Sequence, residues 1–415
     1  MTQHKAGEVA IQARMAWTGE RSSDAARRLG QQDGRGVARS FLGRAFAELA
    51  IPDDAMTLVL RHGRETSAYP LIGADAEKRL KIYLDLKDWV ALAKARLGRA
   101  EFPYDQAAYD GLRSAVTARQ VIVALSATTY VEVARNSSLR QRTDLADVMA
   151  EISGFVTITG RSVALRHQFQ TALAARFGGP EPAPLSPLGL GIAFATGDRR
   201  RLVLRSKNGA EPGLPEEQIR EIEAFGRASL EYVMMRGPRP EDIPQLQAYG
   251  YQPDTVVVIE TERLERERKL AAMLAAGTAE RSRLSDIVHA RYLFWELRDH
   301  LREDLHPYGI TIDEFFANGK AWLNAFLDDI PAAAITVTLA EKGFRNRDKA
   351  WKGNDLRDAD AMSAAIPYCD VVLTDKYVAA QLARSPAVTS QGTLVLPRLR
   401  DLASQLPDLI KGHNP

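Results

Sequence analysis

The chain has 415 residues, enough for two or three domains, and its 45% apolar and 26% charged residues are typical of an ordinary globular protein. A formal net charge of +2 excludes a global attraction to polyanions, so any nucleic-acid binding depends on local patches. The single cysteine, Cys369, excludes an intrachain disulfide framework. No apolar run reaches about 18 residues and no signal-peptide segment is recognisable, so we expect a cytoplasmic protein with no membrane partner.

The first region, residues 1–78, is polar and rich in Arg and Ala. Ser22, Ser23 and Asp24 have the pattern of a helix N-cap, and apolar residues recur at helical spacing between 41 and 49. We interpret this region as a helical N-terminal extension without chemistry of its own.

From residue 79 onward, short apolar runs alternate with helical patterns. This alternation favours an α/β fold, a three-layer α/β/α arrangement with a mostly parallel central sheet. The predicted strands lie at 82–84, 120–126, 155–159, 371–374 and 393–396, with a further candidate at 333–339.

The alternation stops between residues 178 and 340. The segment 178–190 is rich in Pro and Gly and is typical of a linker. Long helical patterns follow at 216–235 and 262–306, the second with Glu and Arg at i,i+4 spacing. We therefore predict a helical insertion, 178–340, that divides the α/β domain into 79–177 and 341–415. This insertion is a candidate docking surface for a second copy of the chain or a partner protein.

The stretch 354–376 carries acids at both ends of a short apolar unit. Asp355, Asp358 and Asp360 stand at the start of a helix-prone run of small residues, which Pro367 must end. The strand after it ends in Thr374 and Asp375, at the sheet edge where α/β proteins bind ligands.

Two further acids belong to the same pattern. Asp85 follows the first predicted strand, and Glu132 lies on the helix after the second. Carboxylates that converge at one sheet edge repel one another unless a hard cation such as Mg²⁺ or Mn²⁺ neutralises them. Such a site can activate water and stabilise the leaving oxygen of an in-line displacement. The predicted ligand set is Asp85, Glu132, Asp358 and Asp375.

Four short motifs around these acids resemble those of the PIN-like nuclease superfamily. They are Y-L-D-L-K-D-W at 83–89, S-A-T-T-Y-V-E at 126–132, D-A-D-A-M-S-A-A at 358–365 and V-V-L-T-D at 371–375. The resemblance covers about 79–176 and 341–400. It implies a PIN-like fold and metal-dependent cleavage of phosphodiesters, most often in RNA, by the four acids, with Asp355 or Asp360 replacing or assisting Asp358. Lys87 departs from the family, which often has Asn there, and the insertion is larger than in a minimal domain.

A basic segment, 342–352, leads into the third motif. It interleaves cations with aromatic rings, a combination that suits single-stranded nucleic acid. The alternative is a solvated loop with its Trp in the core. The predicted nucleic-acid contacts are Arg345, Arg347, Lys349, Trp351 and Lys352, joined by Lys87 and Thr374 at the strand ends.

The sequence thus predicts a divalent-metal-dependent endonuclease that acts on single-stranded RNA, with DNA as the alternative substrate. Two other interpretations stay open. One is a non-catalytic nucleic-acid-binding protein on the same fold. The other is a structural or regulatory protein in which the acids only cap helices and the insertion docks a partner.

Overall fold

The computed structural model describes residues 56–62, 76–197, 200–206, 215–248 and 254–413. Its eight strands are short, and only some of them belong to the central sheet. In chain order they are β1 (Met56–His62), β2 (Leu80–Tyr83), β3 (Val121–Ala124), β4 (Val156–Ile158), β5 (Leu188–Leu190), β6 (Arg200–Ser206), β7 (Val371–Leu373) and β8 (Leu394–Leu396).

Four strands form a parallel sheet in the order β3-β2-β7-β8. In this sheet β2 is central, because Ile82 pairs with Val123 on one side and with Val371 on the other. A parallel bridge between Leu125 and Thr157 brings β4 to the outer edge of β3. The predicted α/β class and the five strands at 82–84, 120–126, 155–159, 371–374 and 393–396 are confirmed.

Both faces of this sheet are buried. Successive residues of a strand point to opposite faces, so Ile82 joins one hydrophobic cluster and Tyr83 joins another. The same division separates Val371 from Val372. Strands covered on both faces are apolar at consecutive positions, which explains why they appear in the sequence as unbroken apolar runs.

The helices before the insertion have clear local causes. Pro103 occupies a first-turn position, where its missing N–H costs nothing, and Gly154 ends its helix in the left-handed conformation with φ 55°. These helices are α1 (Leu86–Arg96), α2 (Pro103–Thr117), α3 (Ala127–Ala134), α4 (Leu139–Ser153) and α5 (Arg161–Phe177).

The region 178–340 is largely helical, as predicted. Its helices are α6 (Gly191–Ala195), α7 (Glu216–Arg236), α8 (Ile243–Ala248), α9 (Asp254–Ala275), α10 (Leu284–Arg291), α11 (Arg298–Glu303), α12 (Ile312–Ala317) and α13 (Lys320–Asp328). A π-helix, Tyr292–Glu296, follows α10, and 3₁₀ turns lie at Ala76–Lys78, Pro240–Asp242, Arg281–Arg283 and His306–Tyr308. The helix α14 (Pro331–Arg345) crosses the predicted limit at 340–341. After it come α15 (Gly353–Ala365), α16 (Lys376–Leu382), α17 (Pro386–Thr389) and α18 (Leu399–His413).

The strand predicted at 333–339 is wrong, because these residues form the middle of α14. An apolar run of this length fits a buried strand or a buried helix equally well. Pro331 at the helix start and three consecutive alanines favour the helix. Ile335 and Val337 are buried in two different clusters, so the helix is covered on more than one side.

The predicted domain limits also need correction. Within the N-terminal extension, Met56–His62 forms a strand that pairs antiparallel with Arg200–Ser206, so this part is not helical. Its alternating sequence, M-T-L-V-L-R-H, suits a strand. The helix features predicted at 22–24 and 41–49 lie outside the described residues.

The limit at 177–178 is not a structural boundary. Leu188–Leu190, in the predicted linker, pairs with β4. Phe169 of α5 packs in the hydrophobic core of the insertion, together with Phe315 and Phe326. Long-range packing of this kind leaves no local signal in the sequence.

Among the described residues, no single helix is both long enough and apolar enough to cross a membrane. One pair, Lys320–Asp328 with Pro331–Arg345, has the length and composition only when the two helices are joined across a bend of 109°.

Candidate active site

Two of the predicted acids lie directly after neighbouring strands and cap the helices that follow. Asp85 is the N-cap of α1, where its Oδ1 accepts a hydrogen bond of 2.6 Å from the Leu86 N–H. Asp375 is the N-cap of α16 and accepts a 2.7 Å bond from the Val378 N–H. Because β2 and β7 are adjacent and parallel, the two caps meet at one sheet edge. Both acids therefore cap helices, and the neighbouring strands place these two caps together.

Glu132 and Asp358 complete the cluster. Burial, followed by repulsion from Asp85, raises the pKa of Glu132 from 4.5 to about 7, although Arg357 opposes the change. Burial also raises the pKa of Asp358 from 3.8 to about 7, and repulsion from Asp85, Asp375 and Glu132 adds to it. Burial likewise raises the pKa of Asp85. These four acids, Asp85, Glu132, Asp358 and Asp375, form the acid cluster.

Arg357 lies beside this cluster and partly neutralises it. Its Nε is 3.5 Å from Glu132 Oε1, while Nη1 donates to Glu260 of α9 at 2.5 Å. Among the described residues, no group accepts a hydrogen bond from this buried Nε. Glu260 also accepts from Arg135 at 2.6 Å, so the insertion contacts the cluster through this arginine pair. Neither Arg357 nor Glu260 was predicted, because both contacts join residues far apart in the sequence.

Within the described ranges, no three His, Cys, Asp or Glu side chains form a group that could bind a metal ion. The donor set nevertheless suits Mg²⁺ or Mn²⁺, because all four members are carboxylates. A cation would have to draw the carboxylates together and displace protons from Glu132 and Asp358.

The two neighbouring acids of α15 differ in position. The helix begins at Gly353, five residues before Asp358, rather than at the acids themselves. Asp355 therefore lies one turn before Asp358 on the same face, where it accepts from the Lys352 N–H at 2.7 Å and pairs with Lys349 at 3.0 Å.

Asp360 points away from the cluster, and its assignment as a metal ligand is not supported. Residues two apart on a helix do not share a face. Its carboxylate accepts two hydrogen bonds from Arg263, at 2.6 and 2.9 Å, and lies 3.6 Å from Arg161. Burial would raise the pKa of Asp360, but the two guanidinium groups outweigh that effect and hold it below its usual value.

The other strand-end contacts are only partly available to a nucleic acid. Lys87 Nζ lies 2.7 Å from Asp88 Oδ2, with the side chain 40% exposed. Thr374 is 1% exposed, and its N–H donates to the Leu396 carbonyl at 3.1 Å. Lys87 thus stays accessible, whereas Thr374 is part of the core and offers a ligand no contact in this conformation.

The basic segment 342–352 does not form the predicted stacking surface. Trp351 is 7% exposed and packs on Phe344, with ring centroids 4.6 Å apart. Gly343 makes this packing possible, since a Cβ there would lie 3.0 Å from the Trp351 ring. The assignment of Trp351 to base stacking is therefore wrong, and the alternative with Trp in the core is correct.

The cations of this segment divide into two groups. Arg345, Arg347 and Lys352 are exposed, and Arg345 lies 3.4 Å from Glu341. Lys349 is held next to the acid cluster by Asp355 and by the rings of Trp351 and Tyr377. Lys349 therefore contacts α15 through Asp355.

Comparison with known proteins gives no assignment. No family model matches the chain, and neither the curated proteins nor the solved structures contain a significant match. The function therefore has to be argued from the site.

Proposed function

We propose that this protein is a divalent-metal-dependent endonuclease that hydrolyses phosphodiester bonds in single-stranded RNA. The observation that carries the proposal is the acid cluster, in which Glu132 and Asp358 both have pKa values raised to about 7. Carboxylates kept close enough to repel one another cost stability. A site of this kind is favourable when a divalent cation occupies it.

The sheet supports the PIN-like interpretation. In the strand order β3-β2-β7-β8, the adjacent strands β2 and β7 are followed by Asp85 and Asp375. Glu132 lies on α3, the helix that follows β3. Clusters on both faces of the sheet suit a three-layer α/β/α arrangement. RNA is favoured over DNA by the sequence resemblance alone.

The chain's own residues would supply ligands and charge balance. Hydrogen bonds to helix N-termini hold Asp85 and Asp375 in place, so these two would be the rigid metal ligands. Glu132 and Asp358 would each give up a proton when the metal binds. Mg²⁺ or Mn²⁺, when bound, would activate water and neutralise the leaving oxygen. With a metal bound, Arg357 would no longer be needed to balance the charge of Glu132, and its guanidinium would be available to a phosphate oxygen.

One observation favours a second candidate, a nucleic-acid-binding protein without catalysis. The described residues contain no group of three ligands already in place for a metal. In this alternative Arg357 keeps its position beside Glu132 permanently, and metal binds poorly.

The test uses a labelled single-stranded RNA of twenty nucleotides with Mg²⁺, Mn²⁺ or EDTA. We expect cleavage with either metal, none with EDTA, and loss of cleavage in Asp358→Asn and Asp85→Asn. Asp348→Asn is the matched control, because Asp348 is an exposed acid in the loop before α15. This variant should cleave the RNA like the wild type. Wild-type activity in both cluster variants would contradict the proposal.

Metal binding is measured separately by melting. At a hundred times its dissociation constant, Mn²⁺ should stabilise the wild type by about 2.7 kcal/mol. The shift should shrink in Asp358→Asn and persist in Asp348→Asn. Metal-independent melting of the wild type, together with RNA binding, would establish the non-catalytic alternative instead.

A further inference from the structure

A cleft adjoins the acid cluster, and the insertion contributes much of its lining. Asp355 and Asp358 of α15 and Tyr377 of α16 line it, together with Arg266 of α9 and Trp295 of the π-helix. It encloses a cavity of about 90 Å³. The cleft therefore connects the proposed catalytic carboxylates with side chains from the insertion.

The π-helix is the unusual element of this cleft. Tyr292, Trp295 and Glu296 all line it, although the element is only five residues long. π-helical turns are rare and occur frequently at functional sites, because the wider turn redirects side chains. Here Leu293 is buried at 3% exposure, whereas Trp295 is left 47% exposed. About half of the Trp295 side chain is therefore left uncovered by the fold and can contact a ligand in the cleft.

Two guanidinium groups accompany this indole. Those of Arg291 and Arg266 lie 4.6 and 5.3 Å from the Trp295 ring centroid. Arg291 is neutralised by Glu267 through bonds of 2.8 and 3.0 Å. Among the described residues, Arg266 donates only to the Glu262 carbonyl, so its charge has no carboxylate partner there.

A second half-exposed ring lies in the same cleft. Tyr377, two residues after Asp375, is 45% exposed, and Lys349 Nζ is 5.1 Å from its centroid. Half-exposed aromatic rings with neighbouring cations suit nucleobases and phosphates, since every base has a π-face. In a duplex both faces of a base are already stacked, so only an unpaired base can use such a ring.

We propose that this cleft binds one unpaired nucleotide of the RNA substrate, with its base on Trp295 and its phosphate at Arg266. The inference rests on the proposed function and deepens it, because it assigns single-strand selectivity to the insertion. The basic segment 342–352 then contributes through Lys349 rather than through Trp351.

The test measures binding of a labelled ten-nucleotide single-stranded RNA in Ca²⁺, with a duplex of the same sequence beside it. Loss of one stacked base costs about 1–3 kcal/mol, so Trp295→Ala should weaken single-strand binding about 5- to 150-fold. Trp295→Phe keeps an aromatic face and should stay within a few-fold of the wild type. The duplex should bind weakly, and neither substitution should change its affinity.

A salt series tests the phosphate contact. Arg266→Ala should reduce the slope of log affinity against log salt by about 0.7, the value for one contact to a single strand. Arg220→Ala is the matched control, because Arg220 is 68% exposed on α7 and outside the cleft. Melting temperatures near that of the wild type would show that the variants fold.

The outcomes separate this proposal from the nuclease assignment. Unchanged single-strand binding in Trp295→Ala, or an unchanged slope in Arg266→Ala, would overturn the cleft proposal even if Asp358→Asn abolishes cleavage. Weakened binding in both variants would support it even if no metal cleaves the RNA, and that result would reject only the catalytic assignment.

Discussion

Replacing Asp358 by Asn should stabilise the metal-free protein at alkaline pH. The pKa of Asp358 is raised from 3.8 to about 7, because burial and three neighbouring acids disfavour its charged form. The folded protein therefore binds the proton more tightly than the unfolded chain does. Its stability falls as the pH rises from about 4 to about 7 and is constant above that range.

The magnitude follows from this shift. Each unit of pKa corresponds to about 1.4 kcal/mol, so the full change gives a ceiling of about 4 kcal/mol. Solvent reaches the half-buried carboxylate and screens it, which reduces the expected gain at pH 8 to about 2 kcal/mol. Asn keeps the shape of the side chain and removes the charge, and it also relieves Glu132 and Asp85.

Urea unfolding in EDTA at pH 5 and pH 8 checks this prediction. The advantage of Asp358→Asn over the wild type should be about 2 kcal/mol at pH 8 and less than half of that at pH 5, because most of the interval between the unfolded pKa of 3.8 and the folded pKa of about 7 lies above pH 5. Asp348→Asn should show no such pH dependence. A variant that is less stable than the wild type at pH 8 would refute the electrostatic reasoning.

Three further predictions concern residues around the cluster. Trp351→Ala should lower the free energy of unfolding by about 3–5 kcal/mol in urea titrations, because the ring is buried in the core. Asp360→Asn should cost about 2 kcal/mol by breaking the pairs with Arg161 and Arg263, without changing Mn²⁺ affinity measured by calorimetry. Arg345→Ala should change the melting free energy by less than about 0.5 kcal/mol, since its single ion pair is exposed; a larger loss would mean that Arg345 has a structural contact.

The sheet and the capping acids could be predicted because their signals are local. A short apolar run followed by Asp defines both β2 with Asp85 and β7 with Asp375, and each Asp does cap the helix after its strand. Asp358 and Asp360 lie two residues apart on α15, so they face different sides of the helix. The sequence could not show which side meets Arg161 and Arg263, because both arginines are distant in the chain.

Other features have only long-range causes. Trp351 and its neighbouring cations have the composition of a nucleic-acid path, yet Phe344 and the missing Cβ of Gly343 draw the ring into the core. The contact of Glu260 with Arg357 joins helices that are about a hundred residues apart. The π-helix at Trp295 has no composition that distinguishes it from the end of an ordinary amphipathic helix.

The position of α14 bears on how the molecule unfolds. Val337 and Phe344 belong to the core of the insertion, while Ile335 and Leu339 belong to the cluster beneath the sheet. Neither core can lose this helix without exposing apolar surface in the other, so the two should melt in one cooperative transition. Excising the insertion should therefore yield a fragment that aggregates. Limited proteolysis should release no stable folded fragment.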